Sequence, residues 1–378
     1  MSAETITLGC RLNFAESEAL KAGAPSGTVI VNSCAVTNEA VRQTRQAIRR
    51  ARRERPEARI VATGCAVQLD PGAFQAMPEV DEVLTRDFSR PAVAAGFRQR
   101  VRSFVAVQTG CDHRCTFCTI WQARGPSVTL PYSAVADAVG RELDAGAAEI
   151  VLTGVDITAV DGGLGRLCER LLADLPDLRR LRLSSLDSVE VDDALLALFA
   201  GEPRLLPHVH LSLQHGDDLI LKRMKRRHSR EQAIRLVERL KGARPALTVG
   251  ADLIAGFPTE SEAAAQNTIG LLSECDIVAA HVFPFSPRPN TPAARMPQLP
   301  PELIKARAAR LRQAAAERRS IWLDSLVGTS QSVLIENSEQ GHTDNFAPVF
   351  VAGSDRGQTG SARITGRTAD HLVGTFAQ

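Results

Sequence analysis

With 378 residues, 44% of them hydrophobic and 23% charged, the chain is long enough for two or three domains and too apolar to be disordered. No stretch approaches the roughly 18 unbroken apolar residues of a membrane span, and residues 1–10 lack a cationic segment followed by an apolar one, so neither a membrane anchor nor a secretory leader is expected. A net charge of +2 excludes little by itself, but eight cysteines without a leader point to a reducing, cytoplasmic setting and to metal or redox chemistry rather than disulfides.

Residues 1–98 read as a small α/β unit. Short apolar runs at Ile6 to Leu8, Val29 to Val31 and Ile60 to Ala62 predict strands, with helical stretches at Phe14 to Ala22 and Ala40 to Arg55. Each strand runs into a cysteine: Cys10, Cys34 and Cys65, which are 24 and 31 residues apart. Loops that follow parallel strands share one sheet edge, so the three thiols are expected to converge there. Three unrelated buried thiols are the plainer alternative.

From residue 99 to residue 324 strands and helices alternate. Six strands are predicted, beginning near Phe104, Glu149, Leu181, His208, Leu247 and Ile277, with helices near 133–145, 192–200, 230–241 and 260–273 between them. Six such units predict a parallel barrel or partial barrel, whose chemistry belongs in the loops after the strands. A proline-rich run from Pro284 to Pro301 closes this region, and a basic helix is predicted over 302–326. Residues 325–378 show short β-type runs between glycine-rich turns and read as a small all-β module.

The loop after the first barrel strand contains Cys111-Asp-His-Arg-Cys115-Thr-Phe-Cys118. Three thiols spaced C-x3-C-x2-C supply one ligand fewer than a closed four-iron cluster takes, which leaves one iron open for a further ligand. A zinc site is the alternative, with His113 as a poorly placed fourth ligand. Cys168 and Cys275 read as ordinary buried thiols. Arg124, just after the cluster loop, suits a carboxylate or phosphate, or a structural ion pair.

Taken together these segments resemble the radical S-adenosylmethionine enzymes, and within them the methylthiotransferases. The likeness rests on the C-x3-C-x2-C loop, Thr7-Leu-Gly-Cys-Arg-Leu-Asn13, Asn32-Ser-Cys-Ala-Val-Thr37, Thr63-Gly-Cys65, Ala123-Arg-Gly125, His281-Val-Phe-Pro284 and Thr291-Pro-Ala-Ala-Arg-Met296. Gly341-His-Thr-Asp-Asn-Phe346 and the β-module around it resemble an RNA-binding TRAM domain. Within the family, Thr7-Leu-Gly-Cys10, Cys34-Ala-Val-Thr37 and the HVFP segment are most similar to the branch acting on N6-threonylcarbamoyladenosine in tRNA, next to the anticodon; the branches acting on isopentenyladenosine or on a ribosomal-protein aspartate fit less well.

The resemblance implies an α/β fold: an N-terminal auxiliary-cluster domain, a partial (β/α)6 radical SAM barrel and a C-terminal TRAM-like domain. It implies two [4Fe-4S] clusters, one on Cys111, Cys115 and Cys118 and one on Cys10, Cys34 and Cys65, with S-adenosylmethionine as cosubstrate. Reduction of the first cluster cleaves S-adenosylmethionine to a 5'-deoxyadenosyl radical that takes hydrogen from C2 of the modified adenine, and the second supplies sulfur carrying a methyl group. Gly154, Ser185, Gln214, Gly256 and Phe257 are the implied S-adenosylmethionine contacts. The implied partners are tRNA, an unidentified electron donor and an unidentified sulfur source, for a chain expected to act as a monomer away from membranes.

Basic residues cluster. Arg45, Arg49 and Arg52 recur with Arg42 at helical spacing, and Lys225 and Arg226 lie in a second patch; both suit an RNA backbone, or are simply solvated faces. Phe117, Trp121 and Phe346 are candidates for base stacking. Two departures from the family pattern, the Val155 to Gly163 loop and His215, are expected on the substrate side.

Overall fold

The computed structural model describes residues 2–87 and 101–377. The expected boundary between the first two domains, at residues 98 and 99, lies outside the described residues.

The N-terminal sheet is wholly parallel, in the order β1 (Glu4–Thr7), β2 (Thr28–Ser33), β3 (Arg59–Gly64) and β4 (Glu82–Val83). Its crossovers are α1 (Arg11–Gly23) and α2 (Asn38–Glu54), and the short α3 (Cys65–Leu69) and α4 (Pro71–Gln75) follow β3. Thr37 caps α2 by accepting from Ala40 N. Val29, Val31, Ile60 and Ala62 pack with Ile48 and Ala51 of α2 and with Phe74 on one face of the sheet, and Ile30 and Val61 on the other face are buried as well.

The middle region forms two short parallel sheets, the chain passing from one to the other at Ser184, and Leu181 also makes an isolated bridge to Leu205. One contains β5 (Arg102–Ala106), β8 (Glu149–Thr153) and β9 (Leu181–Leu183); the other contains β10 (Ser185–Leu186), β11 (His208–Gln214), β12 (Thr248–Ala255) and β13 (Ile277–Pro284). The ribbon of β6 (Gln108–Thr109) and β7 (Val128–Thr129) brackets the cysteine loop and α5 (Ile120–Arg124). The helices are α6 (Tyr132–Asp144), α7 (Leu164–Asp174), α8 (Asp193–Gly201), α9 (Asp218–Arg223), α10 (Arg230–Ala243) and α11 (Glu262–Glu274). Val105, Leu152, Leu181, Leu211 and Leu253 pack beneath these helices in one continuous core. This is the expected partial barrel, with strand ends within a few residues of those read from the apolar pattern.

α12 (Pro301–Leu326) ties the barrel to the C-terminal module: Ala308 and Leu311 belong to the barrel core, whereas Leu323 is buried in the core of the module. That module is a closed barrel ordered β14 (Ser330–Asn337), β15 (Gln340–Thr343), β16 (Pro348–Val351), β18 (Leu372–Phe376), β17 (Thr359–Arg367). Closure removes the free strand edges. β15 was not expected, because Gln340 to Thr343 has little β-type character and becomes a strand only through pairing with β14 and β16.

The turn after β15 seats the module against the N-terminal ends of the barrel strands. Phe346 stacks on His342 at 4.5 Å and faces the guanidinium groups of Arg182 at 4.6 Å and Arg102 at 5.1 Å. Phe346, a candidate for base stacking, is engaged here with these side chains at the barrel floor. Beneath it Glu149 is fully buried, 2.6 Å from Arg182 and 3.1 Å from Arg180.

Candidate active site

The C-x3-C-x2-C loop is held shut at its neck. Gly110 has φ +74°, and a Cβ there would stand 1.7 Å from the Pro126 carbonyl oxygen, so only glycine admits this close approach. Cys111 N donates to Gly125 O at 3.0 Å, while Thr116 is bonded to the carbonyls of Met224 and Arg223 across the barrel mouth. Cys118 N donates to Cys115 O, turning the chain so that the last two thiols share one bend. Burial pushes the Cys111 thiol up to about 12 and the Cys118 thiol up to about 11, so a metal taken up there displaces protons.

Gln108 was not singled out from the sequence, yet it organises this loop. Fully buried, it donates to Gly110 O and Ser127 Oγ, both at 2.8 Å, and accepts from Val155 N and Asp156 N. A polar side chain immediately after an apolar strand and three residues before a cysteine was the available signal. His113 turns to Asp156 at 2.8 Å. Cys111, His113 and Asp156 have ligand atoms within 4.8 Å of one another, a trio that leaves out Cys115 and Cys118.

The second set of thiols sits where the three N-terminal strands end. Cys10 caps α1, Cys34 follows β2 and Cys65 opens α3. A buried amide network fixes these ends: Asn13 donates to Asn32 Oδ1 at 2.8 Å, and Asn32 donates to Asn13 O at 3.0 Å and to Ser17 Oγ at 3.0 Å. Ser33 Oγ accepts from the backbone N–H groups of Ala66 and Val67, tying the β2 end to α3. Burial raises the Cys34 thiol to about 11, and Cys65 and Cys10 stand near enough to push it in the same direction. The three thiols follow the ends of adjacent strands, although the sequence holds them far apart.

The two sets also approach each other. Arg124 of α5 donates from Nε to Cys65 Sγ at 3.2 Å and forms a bidentate pair with Glu16 of α1, at 2.7 and 2.9 Å. On the other side Arg226 reaches Cys115 Sγ at 3.7 Å and is fixed by Asp187 and Ser212 O. Arg226, expected on an RNA-contacting patch, is instead turned inward, because a buried carboxylate and a carbonyl compensate its charge there.

The other expected contacts fall around the same mouth. Gly154 follows β8 with no room for a side chain, since a Cβ would stand 2.8 Å from Gln108 O. Ser184 Oγ is buried without a hydrogen-bond partner among the described residues, and the neighbouring Ser185 opens β10. Gln214 ends β11 with φ 67°, and Gly256 has φ 77° and donates its N–H to Glu260. The Phe257 ring is fully buried edge-on to Phe285, which leaves only its backbone for a ligand. His215, expected on the substrate side, is fully buried against Glu260 at 2.8 Å. The same carboxylate takes Arg307 of α12, so this histidine braces the fold.

Among the basic candidates, Arg49 is 54% exposed with a long 3.7 Å contact to Glu79, and Lys225 is exposed. Arg45 lies half-buried over the Phe74 ring. Arg52 departs from the expected stripe: it is spent on Asp81 and on the carbonyls of Pro56, Ala58 and Glu79. Phe117 packs beside Phe257 and Phe285, and Trp121 lies under Arg114. Cys168 and Cys275 are buried in the core.

Residues 105–272 match the Radical SAM superfamily, and residues 3–85 match a group described as Uncharacterized protein family UPF0004. The threonylcarbamoyladenosine tRNA methylthiotransferase MtaB of Rickettsia prowazekii is 40% identical, covering 92% of this chain and 90% of that protein. The chain belongs to the radical SAM methylthiotransferase family. It is therefore a transferase. Another member, the tRNA-2-methylthio-N(6)-dimethylallyladenosine synthase of Erythrobacter litoralis, is 31% identical over 88% of this chain and 86% of its own. Among solved structures, the radical S-adenosylmethionine methyltransferase TsrM of Kitasatospora setae superposes with a TM-score of 0.56 over 76% of this chain and 77% of its own, at 16% identity, a likeness of fold alone.

Proposed function

We propose that this chain is a tRNA methylthiotransferase that converts N6-threonylcarbamoyladenosine next to the anticodon to its 2-methylthio derivative. The observation that carries this reading is the 40% identity, over nine-tenths of both chains, to a protein named for that reaction. Two sets of three thiols, one in a single loop and one at adjacent strand ends, support it, since each offers three sulfur ligands and so fits a four-iron cluster with one iron left for a further ligand.

In this reading Cys111, Cys115 and Cys118 hold the cluster that binds S-adenosylmethionine, and Cys10, Cys34 and Cys65 hold the auxiliary cluster. Bound there and reduced, the first cluster would supply the electron for reductive cleavage of S-adenosylmethionine. Gln108 keeps the cysteine loop and the Gly154 turn in fixed relation, so that Gly154 presents backbone at the cofactor's edge. Ser184 and Ser185 offer hydroxyls to the same ligand, and the unpartnered Ser184 Oγ fits that role. Gln214 and the Gly256–Phe257 backbone line the opposite rim. Arg45, Arg49 and Lys225 offer charge to the tRNA backbone. The three units correspond to residues 1–98, 99–324 and 325–378.

Mass spectrometry of tRNA nucleosides from a deletion strain tests the substrate. Loss of methylthio-threonylcarbamoyladenosine, restored by the gene, is the expected result. Its persistence, with loss of the methylthio-isopentenyladenosine nucleoside instead, overturns the reading in favour of the dimethylallyl branch.

A further inference from the structure

A second cluster of metal-ligating side chains lies inside the barrel, apart from all six of those cysteines. His210 on β11, Asp252 on β12 and His281 on β13 bring one ligand atom each to within 4.8 Å of the others. His210 Nε2 stands 2.9 Å from Asp252 Oδ1, and His281 Nδ1 stands 3.2 Å from the same oxygen.

Strand alternation places the trio on the concave face. Val209, Leu211, Val249, Ala251 and Leu253 are buried beneath the helices, so His210 and Asp252 project to the other side. On β13 Ala280 and Val282 pack against that core and His281 lies between them. The register sets Asp252 directly beside His281, and His210 beside both Gly250 and Ser185. Gly250 makes the room: a Cβ there would stand 2.6 Å from His210 Nδ1.

The spacing suits coordination. Two ligands each about 2.1 Å from one dication stand about 3.0 to 3.4 Å apart at octahedral or tetrahedral angles. Two imidazoles and a carboxylate are a donor set that first-row dications accept, with further positions left for oxygen ligands. Both ring nitrogens approach the same carboxylate oxygen of Asp252, so the three donors are gathered about one point. His210 and Asp252 are largely enclosed, whereas the His281 side chain is 64% exposed, so the trio is open on that side.

We propose that His210, Asp252 and His281 form a divalent-metal site in the barrel, distinct from the iron-sulfur sites, whose open positions face the lumen and take oxygen donors of an incoming ligand. The inference goes beyond the methylthiotransferase reading and does not depend on it.

The test uses the cluster-loaded protein, stripped of loose metal on a chelating resin and titrated with Mn2+, whose free aqua ion is counted by room-temperature electron paramagnetic resonance. The wild type should take up one more Mn2+ than Asp252→Asn, which keeps the shape of the carboxylate but removes its charge. His281→Ala, at an exposed side chain on the last strand, should weaken that binding by roughly tenfold or more. Iron content equal to wild type establishes that each variant is folded; if Asp252→Asn fails that check, His281→Ala alone decides. Equal Mn2+ uptake by the wild type and the folded variants overturns the proposal and leaves the trio as a hydrogen-bonded brace for His281.

Discussion

Arg124 donates to the thiol of Cys65 at 3.2 Å while both of its terminal nitrogens are held by Glu16. Arg124 follows the loop of one set of thiols and Cys65 belongs to the other, so a single guanidinium, 1% exposed, joins the two. Its charge is compensated, because burial lowers the pKa but the neighbouring Cys65 and Glu16 more than restore it. Removing it leaves Glu16 buried with, among the described residues, the 3.4 Å ion pair to Arg86. Arg124→Ala should cost about 3 to 5 kcal/mol of stability, read as a lower unfolding temperature. Arg124→Lys should recover only part of it, because lysine cannot make the bidentate pair. Unchanged stability in Arg124→Ala would show that the pair is dispensable.

If both thiol sets carry four-iron clusters, anaerobically reconstituted protein should hold about eight irons per chain. The triple variant Cys10→Ala, Cys34→Ala, Cys65→Ala should lose half of them and still form 5'-deoxyadenosine under dithionite. Full iron retention would refute the second cluster, and loss of 5'-deoxyadenosine would show that the two sites do not work separately.

Glu149 makes part of the stability acid-sensitive. Burial alone would raise its pKa, but Arg182 by charge and hydrogen bond, with Arg102 and Arg180, holds it at about 2. An unfolded glutamate titrates at about 4.3. The stabilisation is therefore fully present above the unfolded value and is lost as pH falls toward the folded one. Glu149→Gln should destabilise most near neutrality, and the gap from wild type in denaturant unfolding should narrow between pH 6 and pH 3.5. A gap independent of pH would count against this account.

Arg49 and Arg52 of α2 should behave differently. Arg49→Ala should leave stability unchanged and reduce the slope of log affinity for tRNA against log salt by about one. Arg52→Ala should lower stability instead, because Arg52 holds three carbonyls and Asp81. The same salt slope for Arg49→Ala as for wild type would remove α2 from the RNA surface.

Phe346→Ala should loosen the C-terminal module, since the ring fills the space among His342, Arg182 and Arg102. A cost of about 2 kcal/mol is expected for this half-buried ring, visible as faster proteolysis near α12. Weaker tRNA binding with unaltered proteolysis would mean that the ring faces RNA after all.

The sequence alone determined the periodic features: the helices, the barrel strands and the two cysteine patterns. Each depends on apolar spacing or on residues a few positions apart, so local composition suffices to read it. The C-x3-C-x2-C loop needs no tertiary information, and strands that end at Cys10, Cys34 and Cys65 already imply a shared edge. What the tertiary structure decided is where the charges go. Arg226 and Arg52 have the composition of an RNA patch, yet buried or local acceptors claim them. Arg124 finds Glu16 across 108 residues, and His210, Asp252 and His281 meet only because β11, β12 and β13 lie side by side. A charged side chain's role is set by which opposite charge or solvent lies within a few ångströms, and strand register and helix docking fix that distance rather than separation along the chain.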